Sequence, residues 1–123
     1  MDFKEAQLCP VCKNKLSVDF NIRNKYQTFR CNEHFKGSLV NMPSSGNFIY
    51  ESVVSLNNEF KLDLRYSEYK NNNKKYSTAT IYKNYYKIDK NINDMIPQEI
   101  VNNFNIDQIY KYCQKILNNI YFI

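Results

Sequence analysis

Apolar residues recur along this chain with two different periods, and the change of period organises it. Leu16, Val18, Phe20 and Ile22 alternate with Ser17, Asp19 and Asn21, after which Arg23, Asn24 and Lys25 offer a turn and residues 26–31 run back. Alternation with a period of two places one set of side chains on one face of a strand, so this stretch predicts a β-hairpin. Residues 41–47 (Asn41-Met42-Pro43-Ser44-Ser45-Gly46-Asn47) form the clearest break, a turn-rich run that reads as a connector. Beyond it, residues 48–56 are rich in β-formers and Asn57-Asn58 suits a tight turn. Phe60, Leu62, Leu64 and Tyr66 then alternate with Lys61, Asp63 and Arg65, which predicts a second hairpin with one buried face. A polar tip at 71–75 leads into a third strand over 76–88, with an interruption near Asn84.

The period then lengthens. Ile106, Ile109, Tyr110, Cys113, Ile116, Leu117, Ile120 and Tyr121 fall at steps of three and four, the stripe of an amphipathic helix. Asn105 is placed to cap it and Gln108 to complete a capping box. Pro97 suits the first position of a shorter helix running through Val101 and Phe104. The fold class expected is α+β: an N-terminal β-hairpin, then a small antiparallel meander packed by a C-terminal helix. The expected division is residues 1–40 and 48–123, with one continuous domain as the alternative at this length.

The hairpin is flanked by chemistry. Cys9-Pro10-Val11-Cys12 precedes it and Cys31-Asn32-Glu33-His34 closes it, two pairs of soft donors each separated by two residues. That spacing lets a tight turn aim both side chains of a pair at one ion. Asn14 is the residue expected to take the left-handed backbone that such a turn needs. A seven-residue strand spans roughly 23 Å, and an antiparallel return of similar length brings Cys31 back beside Cys12. A disulfide framework is the competing use of these cysteines. It needs an oxidising compartment, whereas residues 1–7 carry no apolar run like that of a signal peptide, so a cytoplasmic setting is expected, that of the host cell for a viral chain. Cys113, far away in the helical stripe, reads as core packing.

Over residues 9–34, about a fifth of the chain, this pattern resembles a zinc ribbon, two knuckles joined by a hairpin around one ion. The resemblance implies one structural Zn2+ held by Cys9, Cys12, Cys31 and His34. It departs from the four-cysteine ribbon at His34, and it lacks the glycine that often follows the second knuckle cysteine. Three thiolates and one imidazole fill four positions and leave none for water or substrate, which argues against metal catalysis.

Composition changes the picture by subtraction. The formal net charge is +5, which alone would point to nucleic acid. Yet Asn, Lys, Ile, Tyr and Phe make up about half of the chain. All five have AT-rich codons, so part of the charge reflects an AT-biased genome. A virus, a bacteriophage or a compact AT-rich bacterium is the source class expected. No stretch of about eighteen apolar residues is present, so no membrane span is expected. The single histidine is committed to the metal pattern, only Gly37 and Gly46 are available for a phosphate loop, and the acidic residues form no evident pair. An enzyme is not expected, nor a small-molecule substrate.

One further pattern points to a partner. Lys74, Lys75, Tyr82, Lys83, Tyr85, Tyr86 and Lys87 interleave cations with aromatic rings, as a sheet that holds single-stranded nucleic acid requires. On one straight strand, Tyr82 and Tyr86 would share a face and Lys83, Tyr85 and Lys87 the other. Lys13, Lys15, Arg23, Lys25, Arg30 and Lys36 around the hairpin could contribute charge. Two function classes follow: a small nucleic-acid-binding accessory protein of a phage or virus, or an adaptor that docks on a protein complex such as a host or viral enzyme.

Overall fold

In the computed structural model the described residues are 8–21, 26–42, 47–83 and 86–121. They form one antiparallel sheet followed by three helices. The strands are β1 (Ser17–Asn21), β2 (Tyr26–Cys31), β3 (Phe35–Met42), β4 (Asn47–Ser55), β5 (Phe60–Tyr69), β6 (Lys74–Lys83) and β7 (Tyr86–Lys87). Each pairs with the next, so spatial order equals sequence order, and the architecture is α+β.

The alternation fixes the faces. Across β3 to β6 the register stacks Phe35, Val54, Leu62 and Ile81 in one row and Gly37, Ser52, Leu64 and Ala79 in the next. Directly opposed residues share a face, and this face carries the sheet's buried side chains, among them Tyr50, Val54, Phe60, Leu62, Leu64, Tyr66 and Ile81. Gly37 is required in its row: a Cβ there would lie 2.9 Å from the Phe35 ring.

Helices α1 (Lys90–Asn93), α2 (Gln98–Asn103) and α3 (Ile106–Tyr121) complete the core. Val101 of α2, Ile109, Cys113, Ile116 and Leu117 of α3, and Phe104 between the two join the sheet's buried residues in one cluster. Asn105 caps α3 as expected, its Oδ1 accepting from the Gln108 N–H at 3.0 Å. The Asn57 turn is also local chemistry, with Oδ1 accepting from the N–H groups of Glu59 and Phe60.

Several expectations need correction. The run 41–47 is only in part a connector, since Asn41 and Met42 end β3 and Asn47 begins β4; residues 43–46 lie outside the described set. The sheet therefore continues through the expected boundary, β3 pairing with β4 along eight positions. The third strand stops beside the expected interruption at Asn84 and does not continue straight to residue 88. It ends at Lys83, and β7 folds back on it with Tyr82 opposite Lys87 and Lys83 opposite Tyr86, so the face assignment for one straight strand does not hold. Pro97 is the N-cap of α2, one position before the helix. The turn expected at 23–25 lies outside the described residues.

Because β7 is short, part of the β6 edge is met by a side chain. Asn93 accepts from the Ile81 N–H at 2.8 Å, and its amide nitrogen lies 3.4 Å from the Ile81 carbonyl. Asn93→Ala removes that partner from a backbone group of a fully buried residue. We expect a loss of about 1–3 kcal/mol in urea unfolding, and a loss near zero would mean that water takes over the Ile81 amide.

Buried acids add a pH dependence. Burial pushes the Tyr50 hydroxyl up to about 12 and the Cys113 thiol up to about 12, while burial and the hydrogen-bonded Glu68 do the same for Tyr66. All three are held neutral when folded and ionise more easily when unfolded. Their stabilisation is complete below the ordinary values of 9 for Cys and 10 for Tyr, and is lost as pH rises toward about 12. Melting temperature should fall steadily from about pH 9 upward; a flat profile to pH 11 would contradict this burial.

Candidate metal centre

The two donor pairs sit in two turns at the same end of the sheet. In the first, the Lys13 N–H donates to the Cys9 carbonyl at 2.8 Å and the Cys9 N–H to the Asn14 carbonyl at 2.8 Å. An antiparallel bridge between Leu8 and Lys15 closes the turn at its base. Lys13 takes the left-handed conformation (φ 65°), so the residue immediately after Cys12, and not Asn14 as expected, is the one under backbone strain. The second turn joins β2 to β3. There the His34 N–H donates to the Cys31 carbonyl at 2.9 Å and Asn32 is left-handed (φ 44°). The His34 carbonyl also accepts from the Ser55 N–H at 2.8 Å, which ties this turn to the end of β4.

Between the turns lies the hairpin β1–β2, paired from Ser17↔Arg30 to Asn21↔Tyr26. It returns the chain so that the Sγ atoms of Cys9, Cys12 and Cys31 and a ring nitrogen of His34 all lie within 4.8 Å of one another. Tetrahedral ligands at about 2.3 Å from an ion would stand about 3.8 Å apart, so the cluster has the size of one four-coordinate site. Cys12 Sγ and Cys31 Sγ approach to 3.2 Å. Among the described residues His34 Nδ1 is buried without a hydrogen-bond partner. An orphaned imidazole nitrogen beside three thiols is the condition a metal would relieve.

The electrostatics fit the same use. The Asn14 backbone hydrogen bond, followed by the Cys31 thiol, lowers the Cys12 thiol to about 6, while Cys31 is pushed up to about 12, first by its hydrogen bond with Cys12 and then by burial. The two thiols titrate as a pair, so a cation held by both must displace the proton that the pair retains. Cys9 is fully buried and Cys12 partly exposed. Cys113 is buried in α3 and stands apart from the cluster.

The candidate nucleic-acid residues are distributed differently. Lys74 and Tyr82 lie on the sheet face away from the helices, as the register of β5 with β6 requires. Lys75 and Lys83 lie on the helix-bearing side, where Lys75 is 3.9 Å from Glu68 and the Lys83 ammonium stands 5.8 Å from the Phe60 ring centroid. Tyr86 and Lys87 form β7, and Tyr85 lies outside the described residues. The seven are therefore not one cluster. Tyr26, Arg30, Lys36 and Tyr76 also reach the away face, by alternation along β2, β3 and β6. Arg30 and Lys36 were expected only as charge around the hairpin; Tyr26 is the residue sequence reading did not single out, and that Lys36 shares its face becomes legible once β3 is recognised as a strand.

No helix among the described residues is long and apolar enough to cross a membrane. Comparison of the chain with protein-family models, with curated proteins and with solved structures finds no match.

Proposed function

We propose that this chain is a zinc-stapled, non-enzymatic binding protein whose partner is single-stranded nucleic acid, an accessory protein of a phage or virus. The observation that carries the reading is the sheet face opposite the helices. None of its described residues is buried, and it presents Tyr26, Tyr69, Tyr76 and Tyr82 together with Arg30, Lys36, Lys61 and Lys74. Among the described residues none of these four cations forms an ion pair. Aromatic platforms beside uncompensated cations on an open sheet suit bases and phosphates.

Zinc is the ion this donor set favours, since three thiolates and an imidazole are soft ligands in a tetrahedral arrangement. With four protein ligands its role is to hold the two turns together. The AT-rich composition supports a phage or viral source.

A second reading, the protein-docking adaptor, is favoured by one observation. Val18 and Phe20 on β1 are 43% and 57% exposed although they lie on the helix-bearing face. The discriminating measurement is the affinity of the zinc-loaded protein for short single- and double-stranded DNA and RNA across a salt series. Micromolar or tighter binding to a single-stranded form that weakens steeply with salt supports the first reading. Binding weaker than about 10⁻⁴ M, the weak end of non-specific binding, rejects it and leaves the adaptor.

A further inference from the structure

Arg30 and Lys36 stand directly opposite each other across β2 and β3. Both are exposed, both lie on the open face, and neither has an acidic partner among the described residues. Facing like charges destabilise a sheet pair, so this position costs the fold stability unless an anion lies between them. The nearest carboxylate in the same groove, Glu51, is engaged elsewhere, 3.4 Å from Arg65.

The surroundings are shaped for more than a free ion. Arg30 and Lys36 border a shallow groove of about 210 Å³ that also takes in Tyr26, Thr28 and Ser38. Tyr26, Thr28 and Arg30 alternate along β2 on this one face, so the backbone positions of Tyr26 and Arg30 lie about 13 Å apart along the strand, with the Thr28 and Ser38 hydroxyls between. Tyr26 is 39% exposed. The register that sets the two cations against each other is fixed one residue away, where Cys31 pairs with Phe35 and the Cys31–His34 turn carries two of the four metal donors.

We infer that the β2–β3 part of the open face is the docking site for the backbone of a single-stranded nucleic acid, with one phosphodiester held between Arg30 and Lys36 and a nearby base stacked on Tyr26. This inference rests on the nucleic-acid reading above and gives it a location. It also gives the metal a part in binding: by clamping the β2–β3 turn, the ion holds the two cations face to face in advance of the ligand. The cost of their repulsion is met in the free protein, and the phosphate relieves it.

The test uses the full-length zinc-loaded chain and fluorescence anisotropy with a labelled oligo(dT) over a salt series, comparing wild type, Arg30→Gln with Lys36→Gln, Arg30→Glu, Tyr26→Ala, and Lys74→Gln with Tyr82→Ala. The double glutamine variant should bind at least tenfold more weakly, with a salt slope smaller by about 0.7 for the one phosphate released. Tyr26→Ala should lose about fivefold or more with its salt slope unchanged. Arg30→Glu converts the repulsive pair into an attractive one, so it should melt at or above the wild-type temperature while binding worst of all. That combination separates a binding defect from a folding defect. Wild-type affinity in the Arg30 and Lys36 variants, with loss only in the Lys74 and Tyr82 variant, would overturn the location and leave the nucleic-acid reading standing. No oligonucleotide binding by wild type even at low salt would remove that reading itself. Binding to a phosphopeptide or to anionic vesicles in place of the oligonucleotide would overturn the inference too.

Discussion

Adding a strong chelator to the purified protein is expected to unfold the entire sheet in one transition, and Cys12→Ser or Cys31→Ser to have the same effect without chelator. The local argument is that the β1–β2 hairpin is too small to hold itself: Val18 and Phe20 are exposed, and Leu16, Phe29 and the two turns supply its burial. The global argument is that Cys9, Leu16, Phe29, Cys31 and Phe35 belong to the same buried cluster as Tyr50, Leu64, Ile109 and Leu117. A structural site of this kind contributes about 10–16 kcal/mol of metal-binding free energy, against a net stability of about 5–15 kcal/mol for a typical domain. Loss of the ion therefore exceeds what the rest can supply. Circular dichroism and thermal melting, with and without chelator, read the outcome, and metal analysis of the purified protein identifies the ion. Unchanged melting after chelation would mean that the four donors hold nothing. Two separate transitions would mean that residues 1–40 fold apart from the remainder. Cys113→Ser is the control, since its thiol is buried in α3 outside the cluster and should leave metal content unchanged.

What could be read from the sequence, and what could not, follows the range of the interactions. The donor set was legible because each pair is local, two residues apart, and the intervening hairpin announces itself by alternation. Lys13 in place of Asn14 as the left-handed residue was not legible, because the choice is made by which carbonyl accepts the turn's hydrogen bonds. Strand β3 was partly hidden: Lys36, Gly37 and Ser38 interrupt its apolar character, and Gly37 is explained only by the Phe35 ring that covers it and the Ser52 opposite. The third strand was legible only in part. Asn84 marks the expected interruption, but nothing local shows that the chain pairs back on itself there as β7. The open face was invisible to a reading that treated Arg30, Lys36 and Tyr26 as parts of a separate hairpin. Their meaning depends on seven strands sharing one sheet, a long-range fact.

The second large effect is expected at Phe104. This residue ends α2 in the left-handed conformation (φ 48°, ψ 43°) and is followed directly by Asn105, the cap of α3, so it forms the joint between the two helices. Left-handed C-caps favour glycine because a Cβ there costs about 1–2 kcal/mol. Phenylalanine is present because its ring is 1% exposed, with its centroid 5.7 Å from that of Tyr50 and 5.3 Å from that of Tyr66, and it fastens the helices to the sheet. Deleting a buried phenylalanine ring costs about 3–5 kcal/mol, which exceeds the backbone strain. Phe104→Ala should therefore lose about 3–5 kcal/mol in urea unfolding, a large share of the total. Phe104→Gly loses the same ring but recovers about 1 kcal/mol from the relaxed backbone, so it should rank above the alanine variant and still well below wild type. That order, wild type then glycine then alanine, separates the two contributions. A glycine variant as stable as wild type would mean that the joint is held by its backbone and that the ring adds little. An alanine variant at or above glycine would mean that the left-handed turn relaxes when the ring is removed.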